Sequence, residues 1–222
     1  MKFLGFYPES IAARARAAAA PPRLLTLGQS LGLGAGGFCL IIMIVIGILA
    51  AADQPLKKHL GDKGAHAVYA LLFILMAGGL FRKLIIPPAP VLRVYVLFAA
   101  TFFLYAAAWM ATYSPFRNIF GEWLGALAGG TGSGLVLATA FDAPKQALRI
   151  ILVLCITSAT GYFGVKWLYP FIPGIVGAFV CGATYGLVMG TGLGCALYAC
   201  QEPARERLKT VPASGGRPGP LS

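Results

Sequence analysis

Ser133 lies between two glycines, in Gly132-Ser133-Gly134, inside a long apolar run. A serine in such an uncrowded stretch is a candidate nucleophile, but only with a base beside it to take its proton. The chain has two histidines, His59 and His66, both in a polar stretch far from Ser133 in sequence. With Asp62 they stand at i, i+3 and i+7, a spacing that would set three metal donors on one helical face. Gly61 and Gly64 weaken a helix there, and the stretch reads as a solvated loop. Cys39, Cys155, Cys181, Cys195 and Cys200 lie in apolar runs without paired spacing, so they read as small hydrophobes. No Cys-x-x-Cys-His is present, and the histidines are not placed to hold a haem between facing helices. These residues predict no catalytic group, no cofactor and no metal.

The polar atoms that remain in apolar surroundings are hydroxyls. Thr157, Ser158 and Thr160 cluster around Gly161, and Thr131 and Ser133 stand in the apolar run before them. Hydroxyls in lipid usually bond backbone or a neighbouring helix, worth about 0.6 kcal/mol on average. The alternative chemistry is a shared pocket at the membrane midplane for a small polar or amphipathic solute. No acid or base stands near the middle of an apolar run. Glu122 opens one, five residues after Arg117, and Lys166 ends the next. Ionisable groups deep in a membrane mark proton relays and ion coupling, so their absence argues against a carboxylate-coupled carrier.

The elements that position these groups follow from composition. Of 222 residues, 58% are hydrophobic and 11% charged. The apolar residues are gathered in uncharged runs such as 24–52 and 167–201, which a soluble surface could not hide. The pattern excludes a soluble globular domain, a disordered chain and a disulfide-stapled secreted domain. It predicts an all-α polytopic membrane protein. Hydrocarbon about 30 Å thick needs roughly 20 apolar residues. Six segments qualify: 32–52, 65–81, 94–113, 123–141, 150–167 and 174–200. Six spans with Gly132-Ser133-Gly134 in the fourth superficially resemble the rhomboid intramembrane proteases, whose pattern sets a serine in a Gly-x-Ser-Gly stretch of span four and a histidine on span six. Here Thr131 stands two residues before Ser133, and the sixth segment has no histidine. An intramembrane enzyme therefore ranks below the other readings.

The net charge of +11 is sided, so it points to lipid and not to nucleic acid. Thirteen of the 18 basic residues fall before the first segment, in alternate connections or in the tail, and five on the other side. That asymmetry predicts both termini in the cytoplasm and the 53–64 loop outside, in a bacterial-type inner membrane. No apolar h-region precedes residue 24, so the first segment reads as a retained span. Residues 1–23 form a cytoplasmic segment with a short interfacial helix, its Arg14 and Arg16 near anionic headgroups. Residues 24–201 form the transmembrane domain, and 202–222 a disordered cytoplasmic tail.

Small residues recur at spacing four. Ala178 is followed by Gly182, Gly186, Gly190 and Gly194. Gly130 and Gly134 lie between Ala126 and Ala138, beside a second row of Gly121, Gly125 and Gly129. Gly28, Gly32 and Gly36 make a third row. In lipid, such rows let helix backbones approach closely. The expectation is a tightly packed, non-enzymatic accessory subunit or scaffold. Its partners are membrane lipid and either further copies or other membrane subunits. The alternative is a small-solute transporter or facilitator built on the five hydroxyls.

Overall fold

The computed structural model describes residues 4–18 and 22–210, and every regular element among them is helical. Helix α1 (Pro8–Ala17) begins at a proline, has Glu9 in its first turn and Arg14 and Arg16 in its last, matching the helix dipole at both ends. It buries Ile11, Ala12 and Ala15.

Helix α2 (Leu27–Leu84) starts in a capping box. Thr26 accepts the Gln29 N–H at 3.2 Å, and the Gln29 side chain accepts the Thr26 N–H at 3.1 Å. The helix is broken at Gly61, whose φ of 68° and ψ of 174° are open to a residue without Cβ. Its two arms, 27–60 and 62–84, fold back on one another. Phe38 meets Phe73 edge-on at 5.4 Å, and Tyr69 donates to Asp53 at 3.2 Å. The expected 53–64 loop is thus corrected: the first arm stays helical through residue 60, with Lys57 and Asp53 paired at 2.8 Å one turn apart. Its charges and the glycines Gly61 and Gly64 made that stretch look like a loop, but only Gly61 breaks the helix.

After Pro87-Pro88 come α3 (Val91–Phe116) and α4 (Ile119–Ala140), the latter capped by Asn118 accepting the Gly121 N–H at 3.0 Å. Helix α5 (Ala147–Leu168) is flanked by single 3-10 turns, Pro144–Gln146 and Tyr169–Phe171. Helix α6 (Gly174–Cys200) leads into α7 (Glu202–Thr210).

Four helices are long and apolar enough to cross a membrane: α2, α3, α5 with its flanking turns, and α6. The number differs from the six apolar segments for two reasons. Helix α2 holds two of them across the Gly61 break. Helix α4 is rich in glycine, which adds length without hydrophobicity.

The helices close a ring. The first arm of α2 lies on α6, α6 on α5, α5 on α4, α4 on α3, and α3 on the second arm of α2. A phenylalanine cluster fills the α2–α3 side, with Phe81 and Phe98 rings 4.6 Å apart. At one end of the ring, α1 packs on α7, and Phe6 stacks on Phe141 at 5.2 Å. Helix α7 corrects the expectation of disorder for 202–210; residues 211–222 lie outside the described residues. Arg207 pairs with Glu9, and Arg16 donates to the Arg207 carbonyl at 2.9 Å. Arg14 turns inward, donating to Ser10 at 2.7 Å. Burial first, and then Arg93, push its guanidinium down from the ordinary value. Arg14 is therefore turned toward the protein, and the exposed Arg16 is bonded to α7.

Candidate functional site

Two seams bring backbones together. On α6, a Cβ at Gly186 would lie 2.6 Å from the Cys39 Cα, one at Gly190 would overlap the Gly34 carbonyl, and one at Gly194 the Ser30 carbonyl. Gly182 receives Ile46 in the same line. Ser30 adds a buried hydrogen bond to the Gly194 carbonyl at 2.9 Å. On α4, Cβ atoms at Gly130 and Gly134 would lie 2.8 Å from the Cys155 Cα and 2.9 Å from the Ile151 Cα of α5. The other face of α4 takes aromatic rings from α3: Gly125 faces Trp109 and Gly129 faces Tyr105, while Gly121 lies against Tyr113 backbone. Both sets repeat every four residues, so an aromatic ridge fills a glycine groove.

The first-arm row is corrected. Gly28, Gly32 and Gly36 face open space, and the residues that meet α6 are Ser30, Gly34 and Phe38. Both rows have spacing four on one helix. Which of them turns inward depends on where α6 lies.

The five hydroxyls do not share one space. Thr131 contacts the Cys155 thiol at 3.5 Å. Thr157 donates to its own helix, to the Val153 carbonyl at 2.9 Å, and its side chain fills the notch at Gly192. Ser158, fully buried, bonds the Tyr105 hydroxyl at 2.8 Å and so ties α5 to α3. Thr160 is exposed, one helical repeat after Leu148, Leu152 and Ile156, which form an exposed apolar stripe. Ser133 alone lines the cavity at the centre of the ring.

That cavity is a cleft of about 170 Å³. Phe38 and Phe73 of α2, Phe98 and Phe102 of α3, and Tyr185 and Met189 of α6 form most of its wall. Thr101 reaches it but donates to the Leu97 carbonyl at 2.8 Å. An apolar cavity near 150 Å³ admits a benzene-sized guest, whereas drug-sized ligands need about 300 Å³ or more. The cleft suits a small apolar group, not a hydrated solute.

Ionised groups lie away from it. Glu122, 8% exposed, pairs with Lys166 at 2.5 Å, joining α4 to α5; Arg117, nearer in sequence, does not take that place. Trp123 stacks on Phe163 at 4.2 Å beside this pair, and the exposed Trp167 adjoins it in sequence. Near the opposite end, Gln201 is completely buried. Its amide accepts the Ile86 N–H at 2.6 Å and donates to the Leu84 carbonyl at 3.0 Å and the Leu197 carbonyl at 2.8 Å. It therefore caps the end of α2 from another helix. Sequence reasoning placed Gln201 only as the last residue before the tail; the signal was a lone amide closing an apolar run.

Ser133 is buried, and α6 offers it no histidine. His66 Nδ1 donates to the Asp62 carbonyl at 2.6 Å. Among the described residues no three His, Cys, Asp or Glu side chains gather into a metal-binding group. All five cysteines are free. No protein-family model, curated protein or solved structure matches the chain.

Proposed function

We propose that the chain is a non-enzymatic integral membrane protein of six spans, acting as a scaffold or accessory subunit. It presents its outer surface to lipid and to further copies of itself or other membrane subunits. The observation that carries this reading is the state of the interior. Thr101 and Thr157 bond backbone and Ser158 bonds Tyr105, the central cleft is walled mostly by aromatic rings, and the helices meet at glycines along the α6 and α4 seams. A carrier must trade water for protein groups along a path, and hydroxyls already bonded to carbonyls cannot do so without loss.

Six spans follow from counting the arms of α2 separately and adding α4. The 22 residues of α4 reach about 33 Å, enough for the hydrocarbon layer. The contact of α1 with α7 supports both chain ends on one side. The basic residues favour the cytoplasmic side of a bacterial-type inner membrane. Small residues at spacing four are the packing device of the bundle.

Vesicles test the reading directly. Reconstituted protein should not speed vesicle reswelling in glycerol or urea beyond that of protein-free vesicles. Thr157→Val and Thr160→Val should leave that rate unchanged and alter thermal stability by less than about 1 kcal/mol. Protein-dependent flux abolished by Thr157→Val would reverse the conclusion. A second reading, a carrier or receptor for a small apolar molecule, is favoured by the aromatic cleft. Toluene that raised the unfolding temperature of the protein, and not of Met189→Trp, would support it.

A further inference from the structure

The fold of α2 brings its first and last turns side by side, and a groove of about 480 Å³ opens there. Arg23, Arg82 and Lys83 line it together with Gln29, above Leu33 and Ile85. All three cations are exposed. Elsewhere Lys57, Arg149, Lys166 and Arg207 each reach an acid, but among the described residues none of these three does. The first turn of α2 contains no acid and adds the positive end of a long helix dipole. Three like charges converging on one groove repel each other unless an anion lies among them.

A second feature shows what kind of anion. Leu33, Leu40 and Ile44 are exposed at 40%, 61% and 37%. With Gln29 they fall within about 60° of arc on the helix, so they form one apolar stripe leading away from the cations into the span. A charged mouth above an apolar stripe fits a molecule with a phosphate at one end and hydrocarbon at the other. A phosphate ester in water would use the mouth alone.

We propose that this groove is a headgroup site for an anionic phospholipid. Arg23, Arg82 and Lys83 hold the phosphate, and an acyl chain runs along Leu33, Leu40 and Ile44. Basic pockets between helices at the cytoplasmic face take headgroups by this chemistry. The assignment needs the chain to lie in a membrane; it does not depend on the scaffold reading.

The test uses full-length protein, delipidated in mild detergent and titrated with dioleoyl-phosphatidylglycerol, dioleoyl-phosphatidylcholine or inorganic phosphate. Bound molecules are counted by native mass spectrometry. Phosphatidylglycerol should be retained in preference to phosphatidylcholine. Its affinity should fall about fivefold for each of Arg23→Gln, Arg82→Gln and Lys83→Gln, and further in the groove triple that combines all three. The control triple Lys58→Gln, Lys63→Gln and Arg117→Gln, at the other end of the helices, should bind as the parent does. If the groove triple fails to fold, Arg82→Gln alone carries the comparison. Equal loss in both triples would reduce the effect to net charge and overturn the site. Retention by the groove variants would overturn it as well. Inorganic phosphate that displaced the lipid at equal concentration would make the occupant a soluble ester and overturn the lipid assignment.

Discussion

Gly190→Leu lowers the thermal stability of the protein in detergent, with a loss of about 1–3 kcal/mol, the usual cost of overpacking a tight contact. Even a Cβ at Gly190 overlaps the Gly34 carbonyl, which is backbone and cannot rotate aside. Accommodating leucine requires α6 and the first arm of α2 to separate, and with them the Ser30 bond to Gly194. Gly186→Leu meets the Cys39 backbone and behaves alike. The contrast is Gly32→Ala, where nothing lies within 4 Å. There alanine has only its better helix propensity to express, about 0.5–1 kcal/mol toward stability. Equal unfolding temperatures for all three variants would place the α6 row on lipid instead of on protein.

Gln201→Leu produces the second large effect, a loss of about 2–6 kcal/mol. Leucine fills similar space but leaves the Ile86 N–H and the Leu84 carbonyl buried without partners, at about 1–3 kcal/mol each. These groups sit where α2 ends before Pro87, a place where no local residue can continue the helix ladder. Gln201→Glu keeps an acceptor for Ile86 but, ionised, sets a buried carboxylate against the Leu84 and Leu197 carbonyls, so at neutral pH it should be no more stable than leucine. Differential scanning fluorimetry in one detergent separates the three. A leucine variant as stable as the parent would mean that the amide does not join α6 to the end of α2.

Much of the helical layout is legible in the sequence, because uncharged runs, Pro87-Pro88 and Pro173 act through local chemistry. The rows on α4 and α6 are visible for the same reason. What receives each row is a tertiary matter. On the first arm of α2, Gly28, Gly32 and Gly36 draw the eye, yet Ser30, Gly34 and Phe38 meet α6. A clue to the α3–α4 contact was present and unused: Tyr105, Trp109 and Tyr113 repeat at the spacing of Gly121, Gly125 and Gly129. The break at Gly61 was legible, but the helix of residues 53–60 leading to it was not, because that stretch is polar, and polarity marks exposure more surely than it marks a loop. The hydroxyls misled through their nearness in sequence. Thr157 and Thr160 differ by three positions, but one faces Gly192 and the other the outer surface. Gln201 stood out as a lone amide closing an apolar run, but its role was not legible because Ile86 and Leu84 lie more than a hundred residues away.

The central claim is a six-span bundle with both chain ends on the cytoplasmic side, and alternating accessibility tests it most directly. Single cysteines are placed at Gly64, Ala89, Arg117, Lys145, Phe171 and Ser214, in a chain whose own five cysteines are replaced by alanine. Intact cells are treated with a membrane-impermeant maleimide. Cysteines at Gly64, Arg117 and Phe171 should be labelled, and those at Ala89, Lys145 and Ser214 only after the cells are opened. Protection at Gly64 together with labelling at Ser214 in intact cells would contradict the account.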